Sequence, residues 1–359
     1  MQNHEPSSYR LDSYSSLVES DLRQLLQKEP KLELYRMIEY FLGFRDQNGG
    51  EVERYGGKRL RPAICLYIAD LFGKKEAARL FASSLELFHN FTLIHDDIED
   101  HDELRRGRPT VWKLWGVNHG INSGDALGLL ATKTLGRAAA KAGENGQKAA
   151  AFLSQIYAEV IEGQFLDFTL ADALLSSPAV TEESYLRMIE KKSAVLIAAS
   201  AKAGAMIAGA SPACQEALWR YGFNLGRPYQ IYDDIVSIWG SIEKSGKTAL
   251  KDIYEKKKTL PVIFGYSCAS AAEKKELEEI YSTGHVVSEE EVRKVVGILN
   301  KVDAREYAHQ KLLHFATLAK KALGNTGLSK TSIQPLLDLE QSLLFSNPST
   351  TNRVKVQLQ

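Results

Sequence analysis

Charge of one sign is the first thing this chain lacks. Its 359 residues carry 45 Lys+Arg against 45 Asp+Glu, so no long-range field steers it toward nucleic acid or an acidic membrane, and any charge that matters acts locally. Cysteine is scarce: Cys65, Cys214 and Cys268 are odd in number, far apart and in no metal-ligand spacing. That excludes a disulfide framework or a zinc module and leaves reduced core thiols as the expectation. Long hydrophobic runs are missing too. The most apolar stretch, SAVLIAASAKAGAMIAGA at 193 to 210, contains Lys202 and is largely Ala and Gly, which fits a closely packed buried helix better than a membrane span. The N-terminal MQNHEPSSYRLDSYSS has no apolar core for a secretory signal, and Glu5 and Asp12 suit a transit peptide poorly. A cytoplasmic protein is expected.

Proline is sparse and positioned. Pro30, Pro62, Pro109, Pro178, Pro212, Pro261 and Pro335 divide the chain into segments of helical length. Between them apolar residues recur three and four apart, as in Leu336, Leu339 and Leu343, while β alternation is hard to find. Hydrophobic residues make up 44% and charged ones 25%, enough for a substantial core. The expectation is an all-α protein, a single large helical bundle over 11–345, with polar mobile tails at 1–10 and 346–359. Pro228, placed in otherwise helical sequence, predicts a kink or a new helix start.

What the chain has in plenty is local charge. LIHDDIEDHDELRRGRPTVW, at 93 to 112, sets carboxylates directly before arginines. Asp96 and Asp100 lie one helical turn apart, where like charges repel unless a cation bridges them. A second pair, Asp233 and Asp234, sits in YQIYDDIVSIWG. Both clusters follow apolar helical sequence. Few oxygen ligands without His or Cys suit Mg²⁺, which keeps waters and shares a substrate phosphate. An EF-hand is excluded, because DIEDHDELRRGR lacks both the sixth-position glycine and the terminal glutamate. Basic residues cluster beside Gly, Pro or apolar residues in GGKRLRP, RRGR, EKKSA and GKTALKDIYEKKKTLP.

In order and type, GGKRLRP, LIHDDIEDHDELRRGRPTVW, GQFLDFTL, YQIYDDIVSIWG and GKTALKDIYEKKKTLP resemble the motifs of the trans-isoprenyl diphosphate synthase (polyprenyl synthetase) family. The resemblance implies Mg²⁺-dependent condensation of isopentenyl diphosphate with an allylic diphosphate (dimethylallyl, geranyl or farnesyl), using three Mg²⁺ ions per active site in a homodimer. It implies metal binding at Asp96, Asp97, Asp100, Asp233 and Asp234. Arg105, Lys192, Lys247 and Lys257 would meet the allylic diphosphate, although the sequence leaves open which of Lys256, Lys257 and Lys258 fills the last role. Lys58, Arg61, His89 and Arg106 would form the metal-free pocket for isopentenyl diphosphate. Gln230 and the Lys192–Ser193 pair would lie near the carbocation, with Ser193 where a threonine is usual.

Product length, by the same resemblance, is ruled by Phe91 and Phe88, five and eight residues before Asp96. The aromatic at 91 and the absence of an insertion in DDIED look most like geranylgeranyl diphosphate synthases, with farnesyl diphosphate synthase as the alternative. One departure is Ser237, which stands where the second motif usually has its third aspartate. A class I terpene cyclase and a non-catalytic partner subunit are the remaining readings. The cyclase has no second diphosphate for Lys58, Arg61, His89 and Arg106 to hold, and the subunit would have lost its acidic motifs.

Overall fold

The computed structural model describes residues 8–52, 57–240, 250–282 and 284–345. The expected tails fall largely on 1–7 and 346–359, outside the described residues, and helix α1 (Ser8–Leu26) already includes the end of the first. Among the described residues the chain is all-α apart from one two-stranded ladder and an isolated bridge between Arg45 and Glu51. Contacts divide it into two compact units, one of Met1–Tyr157, Ala199–Trp219 and Thr326–Pro335, the other of Ala158–Ala198, Arg220–Asn325 and Leu336–Gln359.

The first unit is built from α1, α2 (Glu33–Phe41), α3 (Leu60–Leu71), α4 (Lys75–Glu99), α5 (Val111–Trp115), α6 (Val117–Lys141) and the first half of α7 (Gly143–Asp172). Helix α4 packs most extensively on α6 and α3. A glycine row on α6 makes that close approach possible. A methyl at Gly120 would lie 2.8 Å from Ile98, one at Gly124 would overlap the His95 ring, and one at Gly128 would touch Phe91 at 3.4 Å. Spaced four apart, these glycines form one ridge, so the C-terminal half of α4 lies directly on it. That half carries Asp96 and Asp97.

Between α4 and α5 the chain reverses in a tight hairpin, β1 (Leu104–Arg105) against β2 (Arg108–Pro109). Its central residues Arg106 (φ 54) and Gly107 (φ 74) are both left-handed, the geometry of a primed two-residue turn.

The second unit holds α8 (Glu182–Ile189), a π-helical turn (Glu190–Ala194), the start of α9 (Val195–Ile207) and most of α10 (Pro212–Trp239). It continues with α11 (Lys251–Tyr254), α12 (Leu260–Cys268), α13 (Ala271–Ile280), α14 (Glu289–Lys301), α15 (Ala304–Gly324) and most of α16 (Lys330–Phe345). Three helices open on reciprocal capping boxes, Thr181 with Ser184, Ser270 with Glu273 and Ser288 with Glu291, each satisfying backbone donors that a helix start leaves bare.

Glycine again sets the close approaches. A methyl on Gly163 of α7 would overlap the backbone at Lys192, and methyls on Gly222 and Gly226 of α10 would lie 2.5 Å from the Cα atoms of Ala198 and Ala194. This contact explains why the new helix start predicted at Pro228 does not occur. Helix α10 runs from Pro212 to Trp239 with Pro228 inside it, its preceding turn held against α9 across the missing N–H. Pro335 likewise lies within α16 rather than at an end. Cys65 and Cys214 are buried as expected, whereas Cys268, the last residue of α12, is exposed.

Glu340, on α16, is fully buried, and neither carboxylate oxygen has a hydrogen-bond partner. Lys320 Nζ stands 3.9 Å away. Burial outweighs that lysine and pushes the carboxyl from 4.5 to about 7. The folded state therefore keeps a proton that the unfolded chain loses above its lower pKa, so this group's stabilisation is complete below about 4.5 and is lost as pH rises through about 7. Glu340→Gln should flatten that part of the pH dependence and raise stability at pH 8 relative to the parent, as read by urea unfolding across pH 4 to 8.

Candidate active site

In the first unit the hairpin answers why carboxylates precede arginines. The chain leaves α4 through left-handed His101 (φ 54), and β1 runs Arg105 alongside the helix end, where Arg105 Nε donates to Asp97 Oδ1 at 2.5 Å. Asp97 is 1% exposed, and its Oδ2 is buried without a hydrogen-bond partner. Burial, only partly offset by Arg105, pushes its carboxyl to about 7. Asp96 and Asp100 are half-buried on the adjoining face, one turn apart. The three predicted aspartates are therefore brought together but are not equivalent.

Beside them lies a cationic cluster. Arg61 Nη1 sits 3.0 Å from His89 Nε2. A guanidinium only donates, so Nε2 accepts and the imidazole proton is on Nδ1. Burial first, then Arg61, Arg106, Arg105 and Arg59, hold the His89 pKa well below its usual range, so the ring is neutral. The Arg106 side chain reaches solvent on the hairpin turn, yet desolvation and then Arg59 lower its pKa, and among the described residues no carboxylate lies within ion-pair distance of it. Lys58 is exposed at the edge of this group. Guanidinium and ammonium groups gathered around one neutral ring suit a multiply charged anion.

Arg59 and Glu86 were not singled out in the sequence. Arg59, 2% exposed and left-handed at φ 48 just before α3, donates to Glu86 Oε1 and to the Leu42 carbonyl, both at 2.6 Å. Asn90 Nδ2 also donates to Glu86 Oε1, at 2.8 Å. The pair anchors the GKRLRP turn that presents Lys58 and Arg61. The third arginine of RRGR turns aside: Arg108 stacks 3.9 Å over Tyr40 and donates to the Arg45 carbonyl. With Tyr40, Phe41, Arg105, Arg106 and Thr110 it lines a small recess behind the hairpin.

In the second unit the π-helical turn aims Lys192 and Ser193. Lys192 Nζ donates to Asp167 Oδ2 at 2.6 Å, which gives the aspartate of GQFLDFTL a partner the sequence reading did not assign. Ser193 Oγ donates to Gln230 Oε1 at 3.2 Å, Gln230 Nε2 donates to Asp234 Oδ1 at 3.2 Å, and Tyr185 OH donates to Asp234 Oδ2 at 2.6 Å. Burial, then the nearby Asp252 carboxylate, raises Asp234 to about 8. Asp233 is half-buried on the neighbouring face. Ser237 has a different task from a metal ligand: its Oγ accepts from the Asp252 backbone N–H at 3.4 Å and its carbonyl from Leu250 N–H at 2.7 Å, tying α11 to α10.

Of the three consecutive lysines, Lys258 is buried with Nζ on the Ala171 carbonyl and its pKa lowered to about 8 by burial. Lys256 donates to the Ser282 carbonyl at 2.6 Å. Lys257 stays half-buried beside Glu255 at 3.1 Å. Lys247 lies outside the described residues.

Among the described residues no group of three or more acidic, His or Cys side chains closes on one point. In the first unit the half-buried Asp96 and Asp100 flank Asp97, whose buried Oδ2 has no hydrogen-bond partner, and in the second the half-buried Asp233 adjoins buried Asp234. That donor set fits Mg²⁺, which completes its octahedron with water and phosphate oxygens rather than a protein cage. No helix among the described residues is long and apolar enough to cross a membrane.

Similarity to known proteins extends over most of the chain. The polyprenyl synthetase family model matches residues 50–299. A geranylgeranyl pyrophosphate synthase of Geoglobus acetivorans is 36% identical over 310 residues, 86% of this chain and 90% of that protein. A (2E,6E)-farnesyl diphosphate synthase of Mycobacterium bovis is 33% identical over 329 residues, 90% of this chain and 89% of that one. The crystal structure of a polyprenyl synthetase from Streptomyces coelicolor superposes with a TM-score of 0.83 at 27% identity, covering 94% of this chain and all of that one. The chain belongs to the polyprenyl synthetase family.

Breaking the Arg59–Glu86 pair should unfold the anion site. Glu86→Gln leaves the buried Arg59 guanidinium only the more distant Glu19 carboxylate, 3.7 Å from Nε, and is expected to cost on the order of 3 kcal/mol, measured as a lowered urea midpoint.

Proposed function

We propose that the chain is an Mg²⁺-dependent prenyltransferase that condenses isopentenyl diphosphate with an allylic diphosphate and makes chiefly geranylgeranyl diphosphate. The observation that carries the reading is the pairing of an acidic set with a separate, metal-free cationic set inside the first unit. One diphosphate needs carboxylates that hold a metal; the other needs only guanidinium and ammonium groups. Lys58, Arg61 and Arg106, with neutral His89 as a hydrogen-bonding partner, fit the diphosphate of isopentenyl diphosphate.

Asp96, Asp100 and Asp233 would hold Mg²⁺, which when bound neutralises charge on the departing allylic diphosphate. Asp97, through its unbonded Oδ2, and Asp234 would complete that metal set, and both also serve as positioning groups. Asp97 orients Arg105 toward the allylic diphosphate, and Asp234 fixes Gln230, which in turn holds Ser193. Lys192, Lys247 and Lys257 add charge where the transition state places it. The allylic carbon–oxygen bond breaks, the isopentenyl double bond attacks the cation, and a proton leaves to the released diphosphate. Ser193 and Gln230 offer lone pairs near the cation without a nucleophile strong enough to trap it.

Similarity to geranylgeranyl synthases favours the C20 product, and the farnesyl synthases among the relatives keep the C15 product as the second reading. Helix-to-helix pairing into a homodimer and a cytoplasmic location accompany this proposal, as does occupancy by three Mg²⁺ ions. A terpene cyclase is disfavoured by the cationic set, which a single-diphosphate enzyme does not need.

Purified protein given Mg²⁺, isopentenyl diphosphate and farnesyl diphosphate should form geranylgeranyl diphosphate. Release of a hydrocarbon from the allylic substrate alone would support a cyclase, and inactivity without a second protein a partner subunit. Asp96→Ala should slow condensation on the order of 100-fold or more, with a loss of comparable size after chelation by EDTA; rates that survive both treatments refute the reading. Phe91→Ala should lengthen the product, as resolved by reversed-phase chromatography, while leaving isopentenyl diphosphate affinity unchanged.

A further inference from the structure

From the structure we infer that Tyr157, which belongs to none of the recognised motifs, sets product length together with Phe88 by closing the space between α4 and α7 below Phe91. The inference rests on the prenyltransferase reading and deepens it.

A chain growing from a diphosphate held at Asp96 has two ways to run along α4. Toward the C-terminus it meets the hairpin with Arg105, Arg106 and Arg108, a charged end where a hydrocarbon gains nothing. Toward the N-terminus it meets aromatic rings. His95 lies edge-on to Phe91 with centroids 4.9 Å apart, and Phe91 lies 5.5 Å from Phe88. Phe88 then stacks on Tyr157 at 3.9 Å, with ring planes 3° apart. Phe88 is eight residues from Asp96, about 12 Å down the helix at 1.5 Å per residue.

The last two rings differ from Phe91 in how firmly they are held. Phe91 is half-buried and backed by Gly128, with no side chain at that position to wedge it. Phe88 and Tyr157 are 5% and 7% exposed. Ser84 Oγ donates to the Ala131 carbonyl at 2.8 Å and so spends its only proton there; the 2.8 Å contact with Tyr157 is therefore a bond donated by the tyrosine. Tyr157 is thus pinned through Ser84 to both α4 and α6, and cannot swing away from a chain end without breaking a buried hydrogen bond. Phe91 is the part of the wall that can yield; the Phe88–Tyr157 stack is the floor.

The experiment compares product lengths of Tyr157→Ala, Tyr157→Leu and Tyr157→Phe, each alone and in a Phe91→Ala background, with Mg²⁺, isopentenyl diphosphate and farnesyl diphosphate. Thermal melts establish that each protein is folded. Ala and Leu should extend the product by one or more five-carbon units in at least one background, and Phe, which keeps the stacked ring, should leave the length at its parent value. Unchanged lengths for Ala and Leu in both backgrounds overturn the inference while the prenyltransferase reading stands. Equal lengthening by Phe overturns it too, because the ring would then not be what blocks the chain. A parent enzyme that lengthens none of dimethylallyl, geranyl and farnesyl diphosphate overturns both.

Discussion

Both units gather groups of like charge close together, and the rest of the chemistry depends on that imbalance. In the first, Arg59, Arg61, Arg105 and Arg106 surround a neutral His89, while the buried acids Glu86 and Asp97 are each already committed to one arginine. In the second, Asp234 accepts from Tyr185 and Gln230 yet remains raised to about 8 by burial and by Asp252. Groups of one sign are held together by the fold against their own repulsion. An incoming diphosphate or divalent cation relieves it, so binding draws on free energy already stored in packing.

Packing of that strength needs backbone contact, and glycine supplies it. Gly120, Gly124 and Gly128 seat the aspartate-bearing half of α4 on α6, while Gly163, Gly222 and Gly226 clamp the π-helical turn and the start of α9 between α7 and α10. Lys192 and Ser193 owe their direction to that turn. A π-turn shifts the register by one residue relative to an α-helix, which lets Lys192 reach Asp167 while Ser193 reaches Gln230.

Much of this was legible in the chain itself. Helical periodicity and the placement of Pro212 and Pro261 identify an all-α fold, and carboxylates set into apolar sequence point to the candidate site residues, because charge in such surroundings has few bland explanations. What escaped reading depends on partners remote in sequence. Arg59 and Glu86 look like ordinary surface residues until they meet across 27 positions. Tyr157 gains meaning only from Phe88. Pro228 is a helix breaker by local rules, yet the glycine contacts of α10 carry the helix through it. Cys268 reads as a core thiol by type and is exposed at the end of its helix.

Ser237 shows how a motif can lose a residue without losing its architecture. A third carboxylate there would stand near Asp234, already raised by its surroundings, and near Asp252, whose backbone the serine hydroxyl holds. The hydroxyl instead accepts one N–H, and the Ser237 carbonyl accepts another from Leu250, so α11 is anchored to α10 at two points. Leu250 and Lys256, which bracket α11, both adopt left-handed backbone at φ 69 and φ 57, a conformation that costs a branched or long side chain and persists only when its surroundings impose it. The anchor at Ser237 helps impose it. Lys257 follows directly after Lys256, so the serine that weakens the acidic set also fixes the basic residue that would meet the same diphosphate, and a substitution at 237 acts on both charges at once.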